Sequence, residues 1–316
     1  MLKPNIARIH PRNLGRFCQP MGAIRPIRFA ATIAVCLSGV LVPPANAQTK
    51  PPEVIFLNGK DFRGGRLIVP EAKEGAADTK RWVVVDLSAG SPLKRVDYGA
   101  RLLPWVGSEK VIALAFSGGH ALLPVEGADE AAKRLVERFE WIKQRYNVHD
   151  RMFLSGHSAG AQFAHRFAFR HPELVVGVWA NAAGSWSGVE GWGEINDQAR
   201  NIPFLLSCGE LDTGKAFGGE APYGRLDWMK HFAEDLKKRG FVVRTQIWPD
   251  KAHKGPSFED NGPLIRECFL LSTEGIVPES GKWSGDVKQL AEEIKRKARS
   301  KEASNKELKA TDKSAP

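Results

Sequence analysis

Met152-Phe153-Leu154-Ser155-Gly156-His157-Ser158-Ala159-Gly160 sets a G-x-S-x-G between an apolar run and a helical pattern that continues until Pro172 stops it. A serine in such a strand-to-helix turn is held in strained backbone, with its hydroxyl standing above the sheet. The turn has room for little at the positions two before and two after, and Gly156 and Gly160 occupy them. The small Ala159 opens the helix, and the motif does not recur elsewhere in the chain. The pattern predicts a nucleophile elbow with Ser158 as nucleophile; the bland reading is a Gly-rich turn that packs tightly.

A serine hydroxyl is a poor nucleophile until a base takes its proton, and the base needs an acid partner to set its tautomer and stabilise its cation. For an elbow of this kind the acid and then the base follow the serine along the chain. The apolar run Phe204-Leu205-Leu206-Ser207-Cys208 opens into Gly209-Glu210-Leu211-Asp212-Thr213-Gly214, which nominates Asp212, with Glu210 as rival. His253 follows the run Val242 to Trp248 in the loop Pro249 to Pro256 and is the expected base; His231 falls on a helical pattern instead. His165 and His171 lie on or beside the post-nucleophile helix and read as structural, whereas His157 either lines the site or packs. An oxyanion hole needs two backbone N–H groups. Ala159 is expected to supply one, and Ser88 or Ala89 in Asp86-Leu87-Ser88-Ala89-Gly90-Ser91 the other, with Phe116-Ser117-Gly118-Gly119-His120 as the competing loop. No histidine pair with a carboxylate has metal-ligand spacing, so neither metal nor cofactor is expected.

Around these residues short β-branched or apolar runs alternate with longer helical patterns, the signature of βαβ units. Strands are expected at Val54 to Leu57, Leu67 to Val69, Trp82 to Leu87, Val111 to Phe116, Met152 to Leu154, Val175 to Ala180, Phe204 to Ser207 and Val242 to Ile247. Helices are expected around Ala131 to Tyr146, Gly99 to Leu103, Ala159 to Arg170, Gly224 to Arg239 and Pro263 to Leu271. The fold class is therefore α/β, with a mostly parallel eight-stranded sheet flanked by helices. Trp186 and Trp192, in the Gly-rich stretch Gly184 to Gly193, stand either to stack on an aromatic acyl group or sugar or to seal that loop onto the core.

From about Trp82 to Leu271 the chain resembles an α/β-hydrolase, and NVHDRMFLSGHSAG, with HPE closing the next helix, is similar to secreted esterases of the polyhydroxybutyrate depolymerase and feruloyl esterase type. The resemblance implies an α/β-hydrolase fold with Ser158, Asp212 and His253 as nucleophile, acid and base. One departure is Leu87-Ser88-Ala89-Gly90, where those esterases usually carry His-Gly in the oxyanion loop; backbone donors survive that change.

The ends of the chain read differently from its body. Phe29 to Val42 is a 14-residue apolar or small run behind Arg25 and Arg28 and ahead of Pro43-Pro44 and Ala45-Asn46-Ala47. It is shorter than the roughly 20 residues of a spanning helix and has the layout of a signal peptide cleaved after Ala47. A start at Met21 gives a more usual leader length, and a membrane anchor is the rival reading. Residues 1–47 hold six basic and no acidic residues, so their removal lowers the net charge from +10 to +4. Val287 to Pro316 carries nine Lys or Arg against five Asp or Glu, which leaves the body near neutral and excludes a nucleic-acid surface. That tail is expected to form a short helix from Asp286 to Ser300 and then a mobile end. With 42% hydrophobic residues the chain can bury a substantial core, which excludes wholesale disorder. Cys208 and Cys268 are compatible with a disulfide and equally with two buried thiols.

The expectation is thus a signal peptide (1–47), a hydrolase domain (48–285) and a basic tail (286–316). The protein is expected to be an exported serine hydrolase, periplasmic or secreted, cleaving a small-molecule or polymer carboxylic ester, with no membrane partner after cleavage. A serine peptidase of prolyl-oligopeptidase-like type and a non-catalytic binding protein on a hydrolase scaffold are the alternatives.

Overall fold

A computed structural model of the chain describes residues 53–59, 62–71, 79–88, 100–117 and 128–312. The expected leader and its cleavage site lie outside these, as do Ala89 and Gly118-Gly119-His120.

Among the described residues eight strands form one sheet: β1 Glu53–Gly59, β2 Phe62–Val69, β3 Arg81–Ser88, β4 Val111–Ser117, β5 Val148–His157, β6 Val175–Asn181, β7 Phe204–Gly209 and β8 Val243–Trp248. Their order is β1-β2-β4-β3-β5-β6-β7-β8; β2 runs antiparallel to both neighbours and every other pairing is parallel. The apolar runs are continuous rather than alternating because both faces of the sheet are covered.

β3 shows how the faces divide. Val83, Val85 and Leu87 join a core with Leu135, Phe139, Phe163, Phe167 and Phe232, contributed by α2 Ala128–Lys143, α3 Ala159–Arg170 and α4 Arg225–Lys238. Val84, between them, faces the opposite layer with Val106, Ile265 and Phe269, from α1 Leu103–Val106 and α5 Phe258–Glu274. Each such side chain taken out of water contributes about 1.5–3 kcal/mol. This two-sided core holds the carboxyl ends of β5, β7 and β8 still while the loops beyond them carry polar groups.

Several element boundaries differ from expectation: β2 starts at Phe62 rather than Leu67, α1 runs on to Val106, and α2 spans Ala128–Lys143 rather than Ala131 to Tyr146. α5 starts at Phe258 rather than Pro263, because Ser257 caps it: the Ser257 hydroxyl accepts the Asp260 N–H and the Asp260 carboxylate accepts the Ser257 N–H. Pro263 is accommodated inside the helix, beside Gly262, whose missing side chain makes room for the Trp105 ring. β5 extends back to Val148, its polar start held by a His149 ring stacked on Trp82 at 3.7 Å. The tail helix, α6 Val287–Asp312, continues through the stretch expected to be mobile. Its later residues include Lys301, Glu302, Ala303, Glu307 and Leu308, all good helix formers with no Gly or Pro among them. Lys301 Nζ also reaches Asp150 Oδ2 at 3.3 Å.

Cys208 and Cys268 are both free and buried. They belong to cores on opposite faces of the sheet, so the disulfide left open by the sequence is ruled out by geometry.

Candidate active site

Ser158 directly follows β5 and has φ 56° and ψ −119°, a left-handed backbone that side-chain-bearing residues adopt at a cost of about 1–3 kcal/mol. The surrounding chain compels it. A Cβ on Gly156 would sit 2.3 Å from the Gly160 carbonyl carbon, and one on Gly160 would sit 2.1 Å from the Leu87 carbonyl oxygen. The Ser158 N–H donates to the Asn181 carbonyl at 2.9 Å, and the Ser158 carbonyl accepts from Gln162 at 3.1 Å as α3 begins. Strand, turn and helix are thereby locked together with the hydroxyl left at the rim.

Asp212 lies three residues beyond β7 and His253 five beyond β8. Main-chain bonds stitch the two loops: Glu210 N–H donates to the Trp248 carbonyl and Leu211 N–H to the Lys251 carbonyl, at 2.9 and 2.8 Å. His253 Nδ1 then stands 2.8 Å from Asp212 Oδ2, and His253 Nε2 stands 3.1 Å from Ser158 Oγ. An ionised carboxylate only accepts, so Nδ1 carries the proton and Nε2 faces the serine hydroxyl as an acceptor. The Asp212 side chain is 2% exposed and that of His253 29%.

Asp212 has two further partners that the sequence did not advertise. Arg225 Nη1, at the start of α4, reaches Oδ1 at 3.3 Å. The Cys208 thiol donates to Oδ2 at 3.7 Å. Burial, with the negative charge of Asp212, pushes that thiol up to about 12, so it stays protonated and remains a donor. Glu210, the rival acid, is exposed and accepts the Asp250 N–H at 3.3 Å instead of reaching His253.

Ala159 is the first residue of α3, where backbone N–H groups have no partner within the helix. Ser88 ends β3 in register with Ser117 at the end of β4, so the two loops considered for the second oxyanion donor leave adjacent strands. A Gly160 Cβ would lie 3.3 Å from the Ser88 nitrogen, so the end of β3 closely approaches the start of α3.

His157 is half-buried, with Nδ1 3.1 Å from Asn181 Nδ2 and its ring centroid 5.1 Å from that of His253. Burial holds it down at about 4, so it is neutral at ordinary pH. Of the two readings left open for the tryptophans, Trp186 follows the sealing one. Trp186 is 0% exposed and packs its ring against His165 and Phe232, which leaves no face for a substrate. Trp192 lies edge-on to Trp228 at 5.1 Å, and its carbonyl accepts from the buried Arg166 Nε. Trp186 seals the loop onto the core, and Trp192 is half-buried against it. His165 Nδ1–H donates to the Ala161 carbonyl of its own helix, and His171 sits beside Glu173; neither meets Ser158.

No family model and no curated protein sequence matches this chain. Solved structures do. A poly(3-hydroxybutyrate) depolymerase from Bordetella parapertussis superposes with a TM-score of 0.51 at 18% identity, covering 76% of this chain and 94% of that one. This is the α/β-hydrolase fold. A siderophore hydrolase from Aspergillus nidulans gives 0.51 at 16% identity over 75% of this chain and 100% of that one. A ferulic acid esterase from the anaerobic fungus Anaeromyces mucronatus gives 0.50 at 17% identity over 74% and 96%. In α/β-hydrolases the nucleophile elbow tops the sheet with acid and base following in the chain. Ser158, Asp212 and His253 stand in that order at one end of this sheet.

Proposed function

We propose that this α/β-hydrolase-fold chain is a serine hydrolase that cleaves carboxylic esters through an acyl-enzyme. The observation that carries the reading is the unbroken row Ser158 Oγ, His253 Nε2, His253 Nδ1, Asp212 Oδ2, with spacings of 3.1 and 2.8 Å, headed by a serine in strained backbone. Ser158 Oγ attacks the acyl carbon while His253 Nε2 takes its proton, a transfer worth about 10²–10⁴-fold when a base is positioned for it. Asp212 orients His253 and stabilises its cation. The oxyanion is received by the Ala159 N–H and a second N–H from Ser88 or Ala89, each donor of this kind worth about 10²–10³ in rate. His253 returns its proton to the departing alkoxide, and water, activated by the same imidazole, releases the acid.

The proposal includes export, with residues 1–47 as a cleaved leader. The names of the neighbours above (a depolymerase, a siderophore hydrolase, a ferulic acid esterase) are consistent with ester chemistry, but it is the site that supports the reading. The test is hydrolysis of a nitrophenyl ester series, a feruloyl ester and a peptide anilide by protein starting at Gln48, beside Ser158→Ala. Ester turnover lost in the variant is the expected result. Cleavage of the anilide alone would replace esterase by peptidase, and no turnover by the wild type would remove the reading.

A further inference from the structure

Behind His157 runs a buried chain of polar side chains that the hydrolytic row does not use. Trp179 Nε1–H can only donate, and it does so to Ser207 Oγ at 3.1 Å. That leaves the Ser207 hydroxyl proton for Asn181 Oδ1 at 3.0 Å. Asn181 Nδ2 faces the Pro256 carbonyl at 2.9 Å, and a carbonyl can only accept. Two independent neighbours therefore orient the same amide, oxygen toward Ser207 and NH2 toward Pro256. The remaining N–H of that NH2 points at His157 Nδ1, 3.1 Å away, which must accept. A neutral imidazole has one ring proton, so in His157 it is on Nε2. Among the described residues Nε2 meets no acceptor, and the half-buried ring lies beside His253 at the end of the sheet where Ser158 stands.

We propose that Asn181 is a positioning residue that holds His157 as an Nε2–H donor toward the bound acyl group, while its bond to the Pro256 carbonyl steadies the loop carrying His253. The ligand chemistry is an ester whose acyl part bears a second oxygen acceptor, an ether, hydroxyl or carbonyl. The acyl side is indicated because His157 adjoins Ser158 and stays beside the group attached to it after the alcohol has left. Trp179, Ser207 and Asn181 are each 1% exposed or less, so the relay is shielded from competing water. Burial and the positive charges of Arg101 and Arg225 keep the His157 ring neutral, as a single-donor tautomer requires.

The inference rests on the reading of Ser158 and His253 as nucleophile and base. It is tested by two measurements on the folded protein. Nitrogen-15 spectra of the imidazoles, with His157 assigned through His157→Gln, are expected to place its proton on Nε2. In Asn181→Asp, where the facing group can only accept, the proton moves to Nδ1 or the ring becomes a cation. The second measurement is the ratio of kcat/KM for nitrophenyl methoxyacetate to that for nitrophenyl butyrate, two acyl groups of one shape differing in an ether oxygen. One neutral hydrogen bond predicts a loss in this ratio of roughly three- to ten-fold in His157→Phe, with recovery in His157→Gln, whose amide also donates. Ser207→Ala, a milder change, lowers the ratio in the same direction if Asn181→Asp does not fold. A wild-type Nδ1–H tautomer, or a ratio unmoved by His157→Phe, overturns the proposal. If a serine-reactive phosphonate labels Ser158 and the ratio is unmoved, this proposal alone fails. If Ser158 is not labelled, the hydrolase reading fails and takes the substrate contact with it.

Discussion

Two short segments leave neighbouring strands at the same end of the sheet, Ser158–Gly160 after β5 and Ala182–Trp192 after β6. Each begins with a non-glycine residue in left-handed backbone, Ser158 at φ 56° and Ala182 at φ 50°. Beyond that they diverge. The first turns straight into α3, with glycines packed against main chain on either side, and its hydroxyl remains at the rim against His253. The second folds inward: Ala183, Ser185, Trp186 and Ser187 are buried, and Arg166 ties the loop down through the Trp192 carbonyl and the Ser185 hydroxyl. Glycines and tryptophans at the functional end of a sheet do not make a binding loop. An indole taken out of water is worth more to the fold as core than it would gain at a half-open site. What distinguishes the first segment is a polar group held in strained backbone with a partner that can take its proton.

The comparison is broken most strongly by removing that partner's support. Asp212→Asn leaves the shape but favours the wrong tautomer of His253, so kcat/KM for a reactive ester is expected to fall about 10⁴-fold with little change in thermal stability. A loss below tenfold would deprive the row of its meaning. The β6 loop should answer in the opposite sense. Trp186→Ala is expected to cost about 3–5 kcal/mol in unfolding free energy, as large aromatic deletions do, while relative rates for aryl and alkyl esters stay level. A selective loss of aryl turnover at unchanged stability would return Trp186 to the substrate.

A smaller effect sharpens the contrast through pH. His165, the partner of Trp186, is held well below the usual histidine value by burial. The unfolded chain therefore binds a proton that the folded chain refuses, and stability declines as pH falls below about 6.5, at roughly 1.4 kcal/mol per unit for one such group. His149 and His157, each lowered to about 4 chiefly by burial, add to the decline down to that pH. In His165→Phe the loss of unfolding free energy between pH 6.5 and 5 should shrink by about 1.6 kcal/mol, measured by urea titration at both values. An unchanged pH dependence would mean that His165 is protonated in the fold.

Much of this was legible in the sequence. Strand centres such as Val83 to Leu87 and Phe204 to Cys208 stood out because both faces of the sheet are buried, and α3 was read to the residue from the glycine turn to Pro172. Ser158, Asp212 and His253 could be picked by chain order and by the loops that follow apolar runs, and the structure places them in one hydrogen-bonded row. Asn181 could not. Its importance comes from the register that sets His157 opposite Asn181, and from Ser207 and Pro256 arriving from elsewhere in the chain. Arg225 and Cys208 were silent for the same reason, since neither has a local pattern that points to Asp212. Trp186 stayed undecided because periodicity is weak in a loop, where only the packed structure shows which way an aromatic faces. Pro263 misled as a helix start because the capping pair Ser257 and Asp260 lies five residues earlier than the proline suggests.

The central claim is that His253 and Asp212 make Ser158 a nucleophile, and intact-protein mass spectrometry after exposure to a fluorophosphonate tests it most directly. The account predicts one adduct per chain, mapped by peptide digestion to Ser158, formed far more slowly in His253→Ala and absent in Ser158→Ala. Wild-type protein that stays unmodified, or an adduct mapped to another residue and indifferent to His253, would contradict it.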